Sequence, residues 1–390
     1  MATTKSSTPV ILLVRNAAKD DFGGAETYTV SIAEILIKNG FHPVVVSRSK
    51  KVLDYARSHS VSTYRGWWWS RQNWSGRRVL LMPFYVLWQL VLTLWYLQLI
   101  ARTHAQALHL QSKDDFIAGT LAGWLTRRQV IWTDHMDLRY VFQNISRPLR
   151  NPVGKLVFHS GKLANHIILI SENEHKLVTS HFKNKNDLKD QIILIKNGVV
   201  DQQSKYPYKQ HKTFSFCIAS RIVTNKGIGE AIQAYVLLKE QRALQTPTKL
   251  DIYGDGQGIK KFKALAAGHN DIVFHGHQAN AIAKIAESDV FILPSYQEGL
   301  SITLLEATML GKAIIATAVD SNPEVIRDKS TGLLVQPRDV KDLANAMSQI
   351  YSDSALRHKL EKNARSNYEH SFNLETSVKE RIIPLYYPGS

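Results

Sequence analysis

The chain has one cysteine, Cys217, in 390 residues. A single thiol excludes an intrachain disulfide framework and a zinc site built on several cysteines, and it suits a reducing compartment. Met1 to Pro9 is polar and the apolar run Val10 to Val14 is too short for a signal core, so no secretion signal is expected. No low-complexity tract or internal repeat is found, and with 44% hydrophobic residues the chain fits neither disorder, collagen nor a coiled coil. Its length suggests about two domains at ~100 to 200 residues each. One absence is local: from Tyr55 to Lys113 there is no Asp or Glu.

That acid-free stretch carries Arg57, Arg65, Arg71, Arg77, Arg78, Arg102 and Lys113. It supplies part of a formal net charge of +16, from 49 Lys and Arg against 33 Asp and Glu, which implies an anionic partner. Six of the eight tryptophans fall in the same stretch: Trp67, Trp68, Trp69, Trp74, Trp88 and Trp95. Cationic and amphipathic aromatic side chains together suit the headgroup layer of an anionic bilayer, though nucleic acid also accepts Arg and Trp. Trp67, Trp68, Trp69, Arg71, Trp74, Arg77 and Arg78 are the candidate membrane or acceptor-side residues. Val79 to Ala101 is uncharged and reaches the length of a membrane span, diluted by Gln89, Thr93 and Gln98. Three readings stay open for it: an in-plane helix with one face in lipid, a buried domain helix, and a span. A span would separate the strand-like runs on either side of it.

Short apolar runs alternate with amphipathic stretches. They are Val10 to Val14, Val44 to Ser47, Ala107 to Leu110, Val130 to Thr133, Ile167 to Ile170 and Ile192 to Ile195, then Phe214 to Ala219, Lys249 to Tyr253, Ile272 to Phe274, Val290 to Leu293, Ala313 to Ala316 and Gly332 to Val335. This rhythm predicts parallel sheets wrapped by helices, in two α/β units with a boundary near Gln202 to Thr213. Helices are expected at Gly229 to Glu240, Asn280 to Ala286, Ile302 to Leu310 and Val340 to Ile350. Two doubly wound domains facing a central cleft line it with strand ends and helix N-termini, a geometry suited to a nucleotide phosphate.

Three features point to chemistry. Gly23-Gly24 follows the first strand and opens a helix, leaving backbone room beside a helix dipole that favours negative charge. Such glycines also serve sterics alone, and the third glycine of the dinucleotide fingerprint is missing. Arg221 and Lys226 flank a strand end before the helix from Gly229, where two cations can neutralise a diphosphate leaving group. Glu298, in the loop after Val290 to Leu293, and Glu306, on the next helix, can accept hydrogen bonds from sugar hydroxyls. The Gly254-Asp255-Gly256-Gln257-Gly258 turn reads as structural.

Taken in order, Gly23-Gly24-Ala25-Glu26, Thr133-Asp134-His135, Asn197-Gly198-Val199, Arg221 with Lys226-Gly227, Tyr253-Gly254-Asp255-Gly256, Ser295 to Leu300, Leu305-Glu306-Ala307, Asn322-Pro323-Glu324 and Thr331 to Val335 resemble the retaining glycosyltransferase family 4, of the GT-B fold, over about residues 10–339. The resemblance implies two Rossmann-like domains, residues 1–203 on the acceptor side and 204–365 binding the nucleotide sugar, with a tail of about 366–390 packing back on the first. It implies transfer of a sugar from a nucleotide diphosphate sugar, with retention, to a glycan or lipid-linked acceptor in envelope polysaccharide or lipopolysaccharide synthesis. Gly23 and Gly24 would sit near the donor phosphates, Arg221 and Lys226 would hold the diphosphate, Glu298 with Gly299 and Leu300 would meet the transferred sugar, Glu306 the ribose, and His135 a sugar hydroxyl. Members often carry Gly-Gly before Asn-Pro-Glu, where this chain has Asp320-Ser321. No Asp-x-Asp occurs, so no cofactor and no metal are expected. Localisation is expected to be cytoplasmic and peripheral on the inner membrane face, with no nucleic acid partner. Two other classes remain: an epimerase or phosphorylase-like enzyme on the same scaffold, and a non-catalytic binder of RNA or anionic lipid.

Overall fold

The computed structural model describes residues 8–16, 22–67, 82–135, 138–143, 151–182, 184, 187–208, 211–278 and 280–388. The chain forms two compact units: Met1–Asn197 with Leu374–Ser390, and Gly198–Asn373.

In unit 1 the order is β1 (Val10–Val14), α1 (Gly24–Lys38), β2 (His42–Ser47), α2 (Lys50–Ser58), β3 (Ser62–Arg65), α3 (Met82–Thr103), β4 (Ala107–Leu110), α4 (Phe116–Leu125), β5 (Gln129–Asp134), α5 (Leu138–Val141), α6 (Pro152–Gly161), β6 (His166–Leu169), α7 (Glu172–Thr179) and β7 (Ile192–Leu194). The seven strands form one sheet, β3-β2-β1-β4-β5-β6-β7, parallel throughout. Continuous β-branched runs such as Val44-Val45-Val46 belong to strands buried on both faces. On one face Leu12, Val14, Leu108, Leu110 and Trp132 pack against α3, α4 and α6, with Trp132 stacked on Phe116 at 4.2 Å. On β4, His109 bonds the Tyr386 hydroxyl at 2.8 Å and Thr133 Oγ1 at 2.6 Å, tying the returning C-terminal segment to the sheet.

In unit 2 the order is β8 (Phe214–Ala219), α8 (Ile228–Glu240), β9 (Thr248–Tyr253), α9 (Ile259–Leu265), β10 (Ile272–Gly276), α10 (Ala281–Glu287), β11 (Val290–Leu293), α11 (Ile302–Met309), β12 (Ala313–Thr317), α12 (Asn322–Val325), β13 (Leu333–Val335), α13 (Val340–Ser352) and α14 (Ser354–Ser371). Its sheet, β10-β9-β8-β11-β12-β13, is also parallel. Phe216, Ile218, Leu250 and Ile252 meet α8 and α13 through Ile232, Tyr235 and Met347 in one core.

The units divide earlier in the chain than the polar segment suggests, because residues just after Gly198 are already bound into unit 2. Asp201 pairs with Arg365 at 2.5 Å, Gln203 Nε2 donates to Leu310 O at 3.2 Å, and the Val199 N–H bonds Phe372 O at 3.1 Å. The same contacts hold Ser366 to Phe372 in unit 2, where Tyr368 donates to Val199 O, so the return to unit 1 starts at Leu374 rather than near Ser366.

Within the stretch read as Val79 to Ala101, α3 begins at Met82, and residues 79–81 lie outside the described residues. β3 and β4, which flank it in the chain, sit in the same sheet, so both helix ends return to one unit and a span does not fit. A fully buried domain helix does not fit either. Its inner face carries Gln89, Leu92, Thr93, Tyr96, Leu99 and Ile100, whereas Phe84, Leu87, Leu90 and Leu94 are exposed.

Candidate functional site

In an open parallel sheet, neighbouring strands whose connections run to opposite faces leave a crevice at their carboxyl ends. Strand order places that point between β8 and β11 in unit 2, and between β1 and β4 in unit 1. The candidate residues gather at these two places.

In unit 2, β8 ends at Ala219 and Arg221 follows, exposed and with its guanidinium unpaired among the described residues. A short 3-10 turn, Thr224–Lys226, leads into α8 through Gly227, at φ 64°. Here glycine is obligatory: a Cβ would lie 1.8 Å from Pro294 O, in a backbone conformation that L residues rarely adopt. The β8–α8 and β11–α11 turns are drawn together, and the Tyr296 N–H donates to Asn225 O at 2.8 Å. Lys226 Nζ therefore reaches Glu298 Oε1 at 2.5 Å, and the same oxygen accepts from Ser295 Oγ at 2.6 Å. The Glu298 N–H donates to the Asp320 carboxylate at 2.8 Å. Glu298 is buried; Gly299 and buried Leu300 follow it directly before the cap of α11. Glu306, one turn into α11, is half-buried, and desolvation alone pushes its carboxyl up to about 7.

The Gly254 to Gly258 turn packs against the backbone on either side of Arg221, at Ser220 and Ile222. Gly254, at φ 137°, has no room for a Cβ, which would fall 1.8 Å from Ser220 O, and the Gly258 N–H donates to Ile222 O at 2.9 Å.

In unit 1, Gly23 caps α1 in an extended conformation, and a Cβ there would meet nothing closer than 3.7 Å. Among the described residues, nothing sterically requires glycine at this position. Gly24 opens the helix. Buried Glu26 organises the turn: one carboxylate oxygen accepts the Gly23 N–H at 2.9 Å, and the other accepts Arg15 Nε at 2.9 Å. Arg15 also donates to Gln111 O at 2.6 Å. His135 follows β5, meets Tyr28 edge-on at 5.5 Å and lies 3.3 Å from Gln111 Oε1. Burial, with Arg15 and His109 nearby, holds His135 well below the usual histidine range, so it is neutral and able to donate or accept one hydrogen bond.

Trp67 lies just past β3 and is exposed. Trp68, Trp69, Arg71, Trp74, Arg77 and Arg78 lie outside the described residues.

Two residues escaped the sequence reading. Among the described residues, Asn16, just after β1, is buried with both side-chain amide atoms unpaired, and Gln111, just after β4, is buried with Nε2 unpaired while Oε1 accepts from Thr29 at 2.6 Å. Buried polar atoms without partners are rare, and these stand on the two strands that define the crevice of unit 1. Their position directly after the two apolar runs was the available signal. Among the described residues no group of three or more His, Cys, Asp or Glu is placed to hold a metal ion.

Two family models tile the chain: Glycosyltransferase Family 4 over residues 22–203 and Glycosyl transferases group 1 over residues 200–367. An uncharacterized glycosyltransferase of Methanocaldococcus jannaschii is 28% identical over 68% of this chain and 71% of its own length. The N,N'-diacetylbacillosaminyl-diphospho-undecaprenol alpha-1,3-N-acetylgalactosaminyltransferase of Campylobacter jejuni is 24% identical over 62% of this chain; the match spans 65% of that relative, a little under two thirds. The crystal structure of Anabaena HepE in complex with UDP superposes with a TM-score of 0.75 at 16% identity, covering 97% of this chain and 99% of the other, which establishes the common fold. With two doubly wound parallel sheets, this fold and both family models agreeing, the chain belongs to the family 4, group 1 glycosyltransferases of the GT-B fold.

Proposed function

We propose that this protein transfers a hexose or related sugar, with retention of configuration, from a uridine diphosphate sugar to a lipid-linked or glycan acceptor of a surface polysaccharide, at the cytoplasmic face of the membrane. The observation that carries the donor half is the Lys226–Glu298 pair at the β8/β11 crevice, together with Arg221, which is unpaired among the described residues. Two cations and the N-terminus of α8 neutralise charge that grows on a departing diphosphate. Glu298 is occupied by Lys226 and Ser295, which suits a group that accepts a sugar hydroxyl and not a free nucleophile. The acceptor oxygen then bonds the anomeric carbon as its bond to the diphosphate breaks, and the acceptor proton passes to the leaving phosphate oxygen. Arg221 and Lys226 perform the charge neutralisation that a cation would otherwise supply, so the reaction is proposed to be metal-independent. UDP bound in the Anabaena structure of the same fold, and a relative named for an undecaprenol-linked acceptor, support the choice of nucleotide and acceptor class.

The experiment is a thermal-shift titration with UDP, GDP, ADP, CDP and dTDP in EDTA, followed by NMR of the product's anomeric configuration. A ligand at about 100 times its Kd adds about 2.7 kcal/mol, a visible shift. Stabilisation by UDP alone and a retained anomer are expected. Preference for another nucleotide, a need for added metal, or an inverted product would overturn the corresponding part.

A further inference from the structure

The helix α3 is apolar on both its inner and its outer face. Toward the sheet it presents Gln89 and Thr93 beside its leucines, and the Tyr96 hydroxyl donates to Asp115 at 2.9 Å in the interior. Outward it presents Phe84, Leu87, Leu90 and Leu94, at 71, 59, 52 and 62% exposure. The spacing 84, 87, 91, 94, 98, 101 is one helical stripe. Its first four positions are Phe, Leu, Val and Leu, and its last two are Gln98 and Ala101, with Arg102 beside them. The apolar surface therefore occupies the first half of the helix. Trp67, 52% exposed and set edge-on to Trp88 at 5.5 Å, extends it.

The topology says where that half lies. α3 ends just before the amino end of β4, and Tyr96 already meets Asp115, which follows the carboxyl end of β4 and caps α4. The residues before Tyr96 therefore stand at the carboxyl edge of the unit 1 sheet, the edge that carries the Gly23 turn, Gln111 and His135.

We infer that the Phe84–Leu94 face of α3, with Trp67, seats in the headgroup and upper acyl layer of an anionic bilayer, its N-terminal half the deeper, and so turns the carboxyl edge of unit 1 toward the membrane. Anionic lipid is the occupant because the 57 residues between Tyr55 and Lys113 hold five Arg outside the helix and no Asp or Glu. This deepens the reading above and rests on it for the acceptor: a lipid-linked sugar whose polar head stands out of the bilayer meets the Gly23 and His135 edge without leaving the membrane.

The test uses the full chain, without donor or acceptor, sedimented with phosphatidylcholine vesicles containing phosphatidylglycerol or none. Binding to the anionic vesicles is expected, weakened about tenfold by Leu87→Ser with Leu90→Ser and little changed by Gln98→Ser on the same stripe. Nitroxides at Leu87→Cys and Gln98→Cys, with native Cys217 buried, report depth, and position 87 should lie deeper. No binding, or equal depth at both positions, overturns the inference. So does a dimer that the double variant dissociates without any vesicle binding, since it assigns the face to a second copy. Failure here leaves the transferase reading standing; a chain that binds vesicles but transfers no sugar overturns that reading and keeps the docking face.

Discussion

The carboxylate of Asp320 accepts the backbone N–H of Glu298 at 2.8 Å, from a residue held at φ 44°. A glycine at this position would adopt the left-handed conformation at no cost but could not brace the loop. Asp320 bears the backbone strain and fixes the Glu298 turn, 22 residues away in the chain. Asp320→Asn keeps an acceptor and tolerates the conformation, so kcat/KM should fall by less than about threefold; Asp320→Ala loses both and should cost about tenfold or more, the equivalent of ~1.4 kcal/mol. Steady-state kinetics of the two variants check this, and equal effects would remove the bracing role.

The Lys226–Glu298 pair is largely shielded, with side-chain exposures of 13 and 8%. Removing either partner alone strands a buried charge, at about 3 to 5 kcal/mol for a buried pair, while removing both costs less than the sum. Lys226→Met should lose stability and UDP affinity together. Glu298→Gln should keep UDP affinity within a few fold and lose turnover by about a hundredfold or more. Denaturant melts and calorimetric UDP titrations on the single and double variants separate these outcomes.

Glu306 links stability to pH with an unusual sign. Burial lifts its carboxyl from 4.5 to about 7, so the folded chain holds a proton that the unfolded chain releases in that window. Stability from this group therefore falls as pH rises from 4.5 to about 7 and is flat above. Glu306→Gln should melt higher than the parent at pH 8, by at most about 3 kcal/mol at ~1.4 kcal/mol per pKa unit, and no higher at pH 4. If Glu306 meets the ribose as the family resemblance implies, the ionised carboxylate is the stronger acceptor for its hydroxyls, so UDP affinity should rise through pH 7 in the parent and not in the variant.

The limits of sequence reading follow from the same residues. Val10–Val14, Ala107–Leu110, Phe214–Ala219 and Val290–Leu293 were legible to the residue because strands buried on both faces are written as unbroken apolar runs. β3, Ser62–Arg65, was not, since an edge strand with half-exposed Thr63 and Tyr64 needs no such run. Local spacing with family motifs singled out Arg221, Lys226, Glu298 and Glu306. The contacts that hold the site are long-range: Asp320 to Glu298 and Gly227 to Pro294 join residues that no local pattern connects, as Arg365 to Asp201 does at the unit boundary. The exposed apolar face of α3 was hidden for a related reason. Hydropathy counts residues without saying which face the sheet covers.

Among the described residues, Asn16 and Gln111 carry unpaired buried amide atoms at the ends of β1 and β4. If a substrate hydroxyl satisfies them, Asn16→Ala and Gln111→Leu should raise the acceptor KM by about 10- to 100-fold, near the cost of one or two hydrogen bonds, and leave UDP affinity unchanged. A rise in the donor KM alone, or no change in either, would assign these atoms to the fold.

His109 sets an acid limit on unit 1. Burial pulls its pKa from 6.5 to about 3, and both ring nitrogens are bonded, to Tyr386 and to Thr133. The unfolded chain takes up this proton below its ordinary 6.5 while the folded chain refuses it, so stability falls as pH drops from 6.5 toward 3, by about 1.4 kcal/mol per pH unit. His109→Gln should lower stability at pH 7 yet flatten that acid slope by close to one proton in urea melts. Tyr386→Phe should leave one nitrogen without its partner and loosen the C-terminal segment, costing about 1 to 2 kcal/mol and exposing residues 378–388 to faster hydrogen exchange. An unchanged acid slope in His109→Gln would mean that another buried group carries it.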